Sequence, residues 1–352
     1  MPKKRVIICF AQIPFTRGGA ELHVDALHDE LVKRDFECEV VKLPYKWYPR
    51  EEILKHAFVW RLLDLSESNL RKIDLVIGTK FPSYYVRHPN KVTWLIHQFR
   101  QVYDLYGTEH CDFSDKNDID RSIKERIETM DRITLLESKR IFTNSKNTAL
   151  RLKKFNQIDS EPLYHPPKLI GQYKYEAMGD YILSVGRLDR LKRIDMLITS
   201  MRFVDRRVKC VIAGTGPEDQ ALRKLVARYG LESRVSLAGF VSDEELIKLY
   251  ANCFAVYYAP FDEDYGYVTL EAFLSRKPVV TTVDAGGVLE FVKHRENGAI
   301  CRLDPQEIGK AIDGLFSNKE RARDYGIVGY DLVKDIGWDN VIERLTDAIA
   351  HP

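Results

Sequence analysis

The chain has 352 residues, 45% of them hydrophobic and 30% charged, with a net charge of +2. That is too long for one ordinary core, comfortable for two α/β domains, and not the composition of a disordered chain or of a nucleic-acid binder. No apolar stretch reaches the roughly 20 residues of a spanning helix, and the six cysteines form no CxxC pair, which speaks against a zinc site or disulfide frame and for a reducing, cytoplasmic setting.

In chain order, short β-branched or aromatic runs alternate with longer amphipathic segments. Strands are expected at 6–10, 39–43, 74–77, 93–96 and 140–143, and then at 181–185, 208–213, 235–238, 254–257 and 279–282. Helices are expected between them, for example at 20–34, 144–155, 218–229 and 243–250. Apolar strands alternating with helices predict parallel sheets covered on both faces. The series runs twice, interrupted by the proline-rich stretch 161–168. The fold class is therefore α/β, with two doubly wound, Rossmann-like domains and a cleft between them. The boundary is expected near residue 170, with domains at 1–170 and 171–335. Ligands of such sheets bind beyond the carboxyl ends of the strands, so functional residues are expected in the loops that follow the strands.

Several of those loops suit an anion. Gly18 and Gly19 precede the first helix, where backbone amides and the helix dipole favour negative charge. A plain glycine turn explains them equally well, and neither a Walker motif nor GxGxxG spacing is present. Gly186, Arg187 and Lys192 follow the first strand of the second half. Two cations there can neutralise a departing diphosphate, a task otherwise left to a metal. No acidic pair sits in a strand-end loop to hold that metal. Against this, Arg190 and Arg193 crowd the same stretch, as in a solvated basic loop. Gly214 and Gly216 either approach phosphate or simply turn the chain. Phe240 and Val241 are candidates to line a nucleobase pocket, while Ser242 and Glu245 are explained by a capping box.

The segment from Glu263 to Glu271 is the most informative. Pro260 and Gly266 mark a loop, and a short helix is expected to start near Tyr267. Amides at that helix start, from Tyr265, Gly266, Tyr267 and Val268, suit sugar hydroxyls or phosphate oxygens. Glu263 in the loop can accept hydrogen bonds from a sugar, and Glu271 inside the helix can grip a ribose diol.

The E-x7-E spacing, with the ordered glycines, the Gly186-Arg187 and Lys192 cations and the segment Asp284-Ala285-Gly286-Gly287, resembles the retaining GT-B glycosyltransferases of the large family 4 (group 1). The resemblance spans nearly the whole chain and is strongest from about residue 181 to residue 303. It implies that Arg187 and Lys192 contact the donor diphosphate, that Glu263 sits at the transferred sugar and that Glu271 binds the ribose. It further implies that the Gly18-Gly19 loop closes on the phosphates and that His97 lies near the reacting sugar. The end of the chain, about 336–352 and including Trp338, resembles a family tail that crosses back to the first domain. Residues 98–107 resemble bacterial cell-surface polysaccharide enzymes and are expected on the acceptor side. Tyr164-His165-Pro166-Pro167 stands where many relatives have asparagine-glycine, which leaves the hinge contacts open.

The implied partners are a nucleotide-sugar donor, linked to UDP or GDP, and a saccharide or lipid-linked acceptor, with no nucleic acid, cofactor or metal. The alternatives from other classes are a non-catalytic nucleotide-sugar binder and an epimerase or phosphorylase on the same scaffold. Residues 51–63, flanked by Lys46, Trp47, Tyr48 and Arg50 and containing Trp60, suggest peripheral contact with a membrane face, or else an ordinary helix of the domain.

Overall fold

A computed structural model describes residues 2–350. The chain divides into two compact units, 1–165 with 337–352, and 166–336.

The first unit is built on the parallel strands β1 (Arg5–Gln12), β2 (Glu37–Pro44), β5 (Leu75–Gly78), β6 (Lys91–Leu95), β7 (Arg140–Thr143) and β8 (Glu161–Pro162). A small antiparallel hairpin, β3 (Glu67–Ser68) and β4 (Arg71–Lys72), precedes β5. The strand order is β2-β1-β5-β6-β7-β8. Alternation along β1 divides its side chains between two apolar layers. Val6, Ile8 and Phe10 enter one, and Cys9 and Ala11 enter the other, as a pleated strand covered on both faces requires. Its helices are α1 (Gly19–Lys33), α2 (Glu51–Leu62), α3 (Asp118–Leu136) and α4 (Lys146–Asn156). Asn117 caps α3 by accepting from the amide of Ile119 at 2.9 Å. Ser145 caps α4 by accepting from Thr148 at 3.0 Å.

The second unit carries β9 (Tyr181–Val185), β10 (Lys209–Ala213), β11 (Val235–Gly239), β12 (Ala255–Tyr257), β13 (Val279–Thr282) and β14 (Gly298–Cys301). They pair in parallel in the order β11-β10-β9-β12-β13-β14, the doubly wound arrangement in which strand order reverses beside the first strand. Its helices are α5 (Ile194–Ser200), α6 (Asp219–Arg228), α7 (Asp243–Asn252), α8 (Tyr267–Leu274), α9 (Val288–Phe291), α10 (Pro305–Ser317) and α11 (Lys319–Val333). The capping box at α7 is present as expected: Ser242 Oγ accepts from the Glu245 amide at 3.2 Å, and Glu245 Oε2 accepts from the Ser242 amide at 2.8 Å. The last helix, α12 (Trp338–Ala350), belongs to the first unit, with Trp338, Val341, Ile342, Leu345 and Ile349 in the same apolar layer as Val6 and Phe10.

Two features differ from expectation. The proline-rich stretch does not begin as a break: Glu161 and Pro162 form β8 at the open edge of the first sheet, the position where proline's missing N–H is tolerated. Strand β14 is also additional. Its four residues begin with glycine and carry too short a pattern to recognise alone, and it is placed by pairing with β13. All six cysteines are free and five are buried. Among the described residues no helix is long and apolar enough to cross a membrane.

Candidate active site

The loops after β9, β12 and β13 converge where the order of the second sheet reverses, the crevice position in which such sheets hold ligands. Lys192 ends a single 3-10 turn, Arg190–Lys192, after β9. Glu263 lies in the loop after β12. The two meet directly, with Lys192 Nζ 2.5 Å from Glu263 Oε2 and 3.3 Å from the Tyr258 hydroxyl. Burial works against the lysine's charge, but Glu263 and Tyr258 more than offset it and hold Lys192 above the usual lysine range. It is a fixed cation at any physiological pH. The Glu263 loop is in turn fixed to Asp284-Ala285-Gly286-Gly287. The Gly287 amide donates to the Glu263 carbonyl at 2.8 Å, and a Cβ on Gly287 would stand 2.5 Å from the Asp264 carbonyl oxygen. That approach explains the second glycine of the pair.

Gly266 ends the loop in the left-handed region, φ 86°, and caps α8. A side chain there would meet Val288 and Tyr258 at 3.1 and 3.2 Å. The first amides of α8, at Tyr267 and Val268, lie outside the intrahelical ladder, four and five residues after Glu263. Tyr265 is buried and packs on Tyr267 and Phe291, so it supports this turn by its ring. Glu271, about one turn into α8, accepts from the Tyr250 hydroxyl at 2.7 Å. Burial raises the Glu271 carboxyl above the ordinary glutamate range, and the Tyr250 hydrogen bond opposes that rise. If ionised Glu271 holds the donor, donor affinity falls as pH drops through this raised pKa. Tyr250→Phe removes one of the bonds that oppose the rise, the other being from Tyr173, so the acid limb of the donor KM profile is expected to move to higher pH. An unmoved limb would show that Glu271 does not carry it.

Gly214 and Gly216 have a structural explanation of their own. A Cβ on Gly214 would lie 1.8 Å from the Gly186 carbonyl oxygen, and one on Gly216 would lie 2.3 Å from that of Leu188. Both glycines let the loop after β10 lie against the loop after β9. Gly186 is different. It has φ +141°, yet nothing stands within 4 Å of where its Cβ would be, so its outer side is open to a ligand. Arg187 is exposed, and its guanidinium has no protein partner among the described residues. Phe240 is 85% exposed and Val241 half-buried, a placement that leaves an aromatic face available for stacking.

In the first unit, the amide of Gly18 is already taken: Glu21 Oε2 accepts from it at 2.8 Å. Gly19 is the first residue of α1. Glu21 Oε1 in turn faces the buried Lys80 Nζ at 3.3 Å, and this ammonium lies 4.2 Å from the centre of the Phe10 ring. Burial pulls Lys80 below the usual lysine range, with Glu21 opposing it. The Gly18-Gly19 turn is therefore held by an internal carboxylate–ammonium pair. His97 follows β6, half-buried, its Nδ1 donating to the Gln98 carbonyl at 2.8 Å. Tyr103 turns out to be a buried support: its hydroxyl donates to Asp131 Oδ2 at 2.7 Å, while Tyr84 and Tyr85 donate to Oδ1 at 2.9 and 2.7 Å. Burial pushes the Asp131 carboxyl up to about 7, and the three tyrosines oppose it. Asn156 joins Tyr103 to Gln98, so the network ends beside His97. Trp60 fits the ordinary-helix alternative for this segment. It is 1% exposed, facing inward with Ile53 and Ala57, whereas Phe58, Val59 and Leu62 occupy the outer side of α2.

A family profile described as glycosyl transferases group 1 matches residues 168–331. The chain is 26% identical, over 97% of its length and 96% of the other's, to an uncharacterized glycosyltransferase of Methanocaldococcus jannaschii. It is 27% identical to human alpha-1,3/1,6-mannosyltransferase ALG2 over 55% of this chain and 54% of that one. Its fold matches that of Anabaena HepE in complex with UDP and glucose with a TM-score of 0.71 and 17% identity, covering 99% and 100% of the two chains. Residues 168–331 are a group 1 glycosyltransferase domain, and the chain as a whole has the GT-B fold.

Sequence reasoning missed three side-chain pairings around the candidate residues of this glycosyltransferase. Tyr250 lies on α7, far in sequence from the Glu271 it touches. Lys80 and Glu21 are 59 residues apart and meet only because β1 and β5 are neighbours. Arg193, read as one more charge in a solvated loop, forms a two-pronged pair with Asp284. None of the three has a local spacing that announces it.

Proposed function

We propose that this glycosyltransferase moves a hexosyl unit from a UDP- or GDP-linked sugar to an acceptor hydroxyl, with retention at the anomeric carbon and without a metal. The observation that carries the reading is the Lys192–Glu263 pair, 2.5 Å apart, in the strand-end loops of the second unit. It offers a fixed cation for the leaving diphosphate and a carboxylate for the sugar in one place. Arg187 supplies the second cation. The α8 amides and Gly186 approach the phosphates and sugar, Glu271 holds the ribose, and Phe240 with Val241 takes the base. The second unit is thus the donor side. In the first unit the Gly18-Gly19 turn and His97 serve the reacting sugar and the acceptor. The anomeric carbon–oxygen bond breaks with its electron pair leaving on the diphosphate. The acceptor oxygen bonds on the same face, and its proton passes to the departing phosphate oxygen. The mannosyl transfer named for ALG2 and the UDP and glucose bound to HepE support a hexosyl nucleotide donor.

The test screens UDP-glucose, GDP-mannose and related donors for thermal stabilisation, then follows nucleoside diphosphate release with excess EDTA. Release is expected to persist in EDTA, and the transferred sugar is expected to keep its anomeric configuration by NMR. An inverted product or EDTA-abolished turnover would sink the reading.

A lipid-linked acceptor would bring the enzyme to a membrane face, and the exposed Phe58, Val59 and Leu62 of α2 are the side chains that suit it. Sedimentation with anionic phospholipid vesicles at low salt is expected to recover the protein. The Phe58→Glu, Leu62→Glu variant is expected to lose most of that recovery. Equal recovery of both proteins would remove the membrane contact at this helix.

A further inference from the structure

Arg193 has no part in the assignments above, and its surroundings are unusual for a loop cation. It has φ 51° and ψ 42°, a left-handed backbone that residues with a Cβ seldom adopt. It joins the turn ending at Lys192 to α5. Its guanidinium pairs with Asp284 through Nη1 to Oδ1 at 2.8 Å and Nη2 to Oδ2 at 2.7 Å. Thr282 Oγ1 donates to the same carboxylate at 2.9 Å. The guanidinium also lies 5.2 Å from the centre of the Phe261 ring, and the Arg193 carbonyl accepts from the Tyr257 hydroxyl at 3.2 Å.

Three strand-end loops therefore meet at this side chain: the β9 loop carrying Lys192, the β12 loop carrying Phe261 and Glu263, and the β13 loop carrying Asp284. Main-chain bonds complete the junction, from the Phe261 amide to the Leu191 carbonyl at 2.8 Å and from the Asp262 amide to that of Asp284 at 2.9 Å.

We propose that Arg193 and Asp284 form a clamp that fixes the Lys192 backbone opposite Glu263, so that the lysine ammonium is in place before a diphosphate leaving group develops its charge. Arg193 is a positioning residue and does not itself touch the substrate. The proposal rests on the reading of Lys192 as the leaving-group cation. A lysine carries its charge on a flexible four-carbon stem, and a cation stabilises developing charge best when no reorganisation is needed as the bond breaks. The ground-state donor is gripped elsewhere, at Glu271 and the α8 amides. Loosening the clamp therefore lowers kcat and leaves donor KM nearly unchanged.

The test compares Arg193→Ala, Arg193→Gly, Arg193→Lys, Asp284→Asn and Lys192→Ala in the full chain, with UDP-glucose and GDP-mannose as donors. Glycine relaxes the left-handed backbone yet removes the fork, so it separates the two, and it carries the test if the alanine variant does not fold. A misplaced catalytic group costs on the order of 100-fold, so kcat is expected to fall about 10- to 100-fold in Arg193→Ala, Arg193→Gly and Asp284→Asn. Donor KM is expected to stay within about threefold, and Arg193→Lys is expected to recover part of the rate. The double variant that combines Arg193→Ala with Asp284→Asn is expected to be no slower than either single one. Near-wild-type kcat in Arg193→Gly and Asp284→Asn, or a loss carried by KM alone, overturns the clamp while an inactive Lys192→Ala leaves the function standing. A fully active Lys192→Ala, or no turnover of either donor by the wild type, overturns the reading beneath it and the clamp together.

Discussion

Lys192→Ala is expected to lower turnover about a thousandfold at saturating donor, the upper range for losing one preorganised charge-stabilising group. Two effects act in the same direction. The leaving diphosphate loses its fixed cation, and Glu263 loses the ammonium 2.5 Å away that offsets its charge beside developing negative charge. Lys192→Arg is not expected to rescue, because a planar fork does not reproduce a point charge on a flexible stem. Both partners are partly exposed, with side-chain exposures of 20% and 22%, so folding stability is expected to change by only about 1 kcal/mol. The measurements are initial rates of nucleoside diphosphate release set beside thermal unfolding. A variant with near-normal rate would remove Lys192 from the chemistry. A variant that melts early would show only that the pair is structural.

The second large effect is expected at Gly214, and here it falls on stability. Alanine would place its Cβ 1.8 Å from the Gly186 carbonyl oxygen, on a backbone at φ +141°. Both neighbours are main chain, so no side chain can swing aside, and the loops after β9 and β10 must separate. Strain of this kind together with overpacking costs about 3 kcal/mol or more. Gly186→Ala makes the contrast. It shares φ +141° but has open space around its Cβ position, so about 1–3 kcal/mol of backbone strain is expected. If that open side receives the donor, Gly186→Ala loses donor affinity out of proportion to its stability. Urea unfolding with nucleoside diphosphate binding on both variants decides it. Equal stabilities would mean that the loop approach at Gly214 is soft, and unchanged binding in Gly186→Ala would exclude Gly186 from the donor site.

The parts of the candidate site that were legible in advance share a local signature. Lys192, Glu263, Gly266 and Glu271 follow strands whose runs of Val, Ile, Tyr and Ala are readable one by one, and a doubly wound sheet puts its ligand at strand ends. Ser242 was equally readable, because a capping box is complete within four residues. Trp60 shows the limit of the same reasoning. A segment with apolar residues nearly all round its axis does not say which side is buried, and only the structure shows that Trp60 faces the core.

Gly214 and Gly216 illustrate a second limit, since a glycine that receives a phosphate and one that receives another loop look alike in a sequence. Arg193 is a third case. Its charge was visible, but its partner lies 91 residues away, in the loop after β13, two places from β9 in the sheet. Read alone, the chain determined the alternation of strand and helix, the repeat of that alternation, and the chemical types waiting at the strand ends, because periodicity, capping and turn chemistry act over a few residues. Only the tertiary structure decided which of those residues meet: the Lys192–Glu263 contact, the Arg193–Asp284 fork, Tyr250 on Glu271 and Lys80 on Glu21. Such pairings depend on which strands become neighbours, and that is settled by burying both faces of each sheet together, a balance summed over the whole chain.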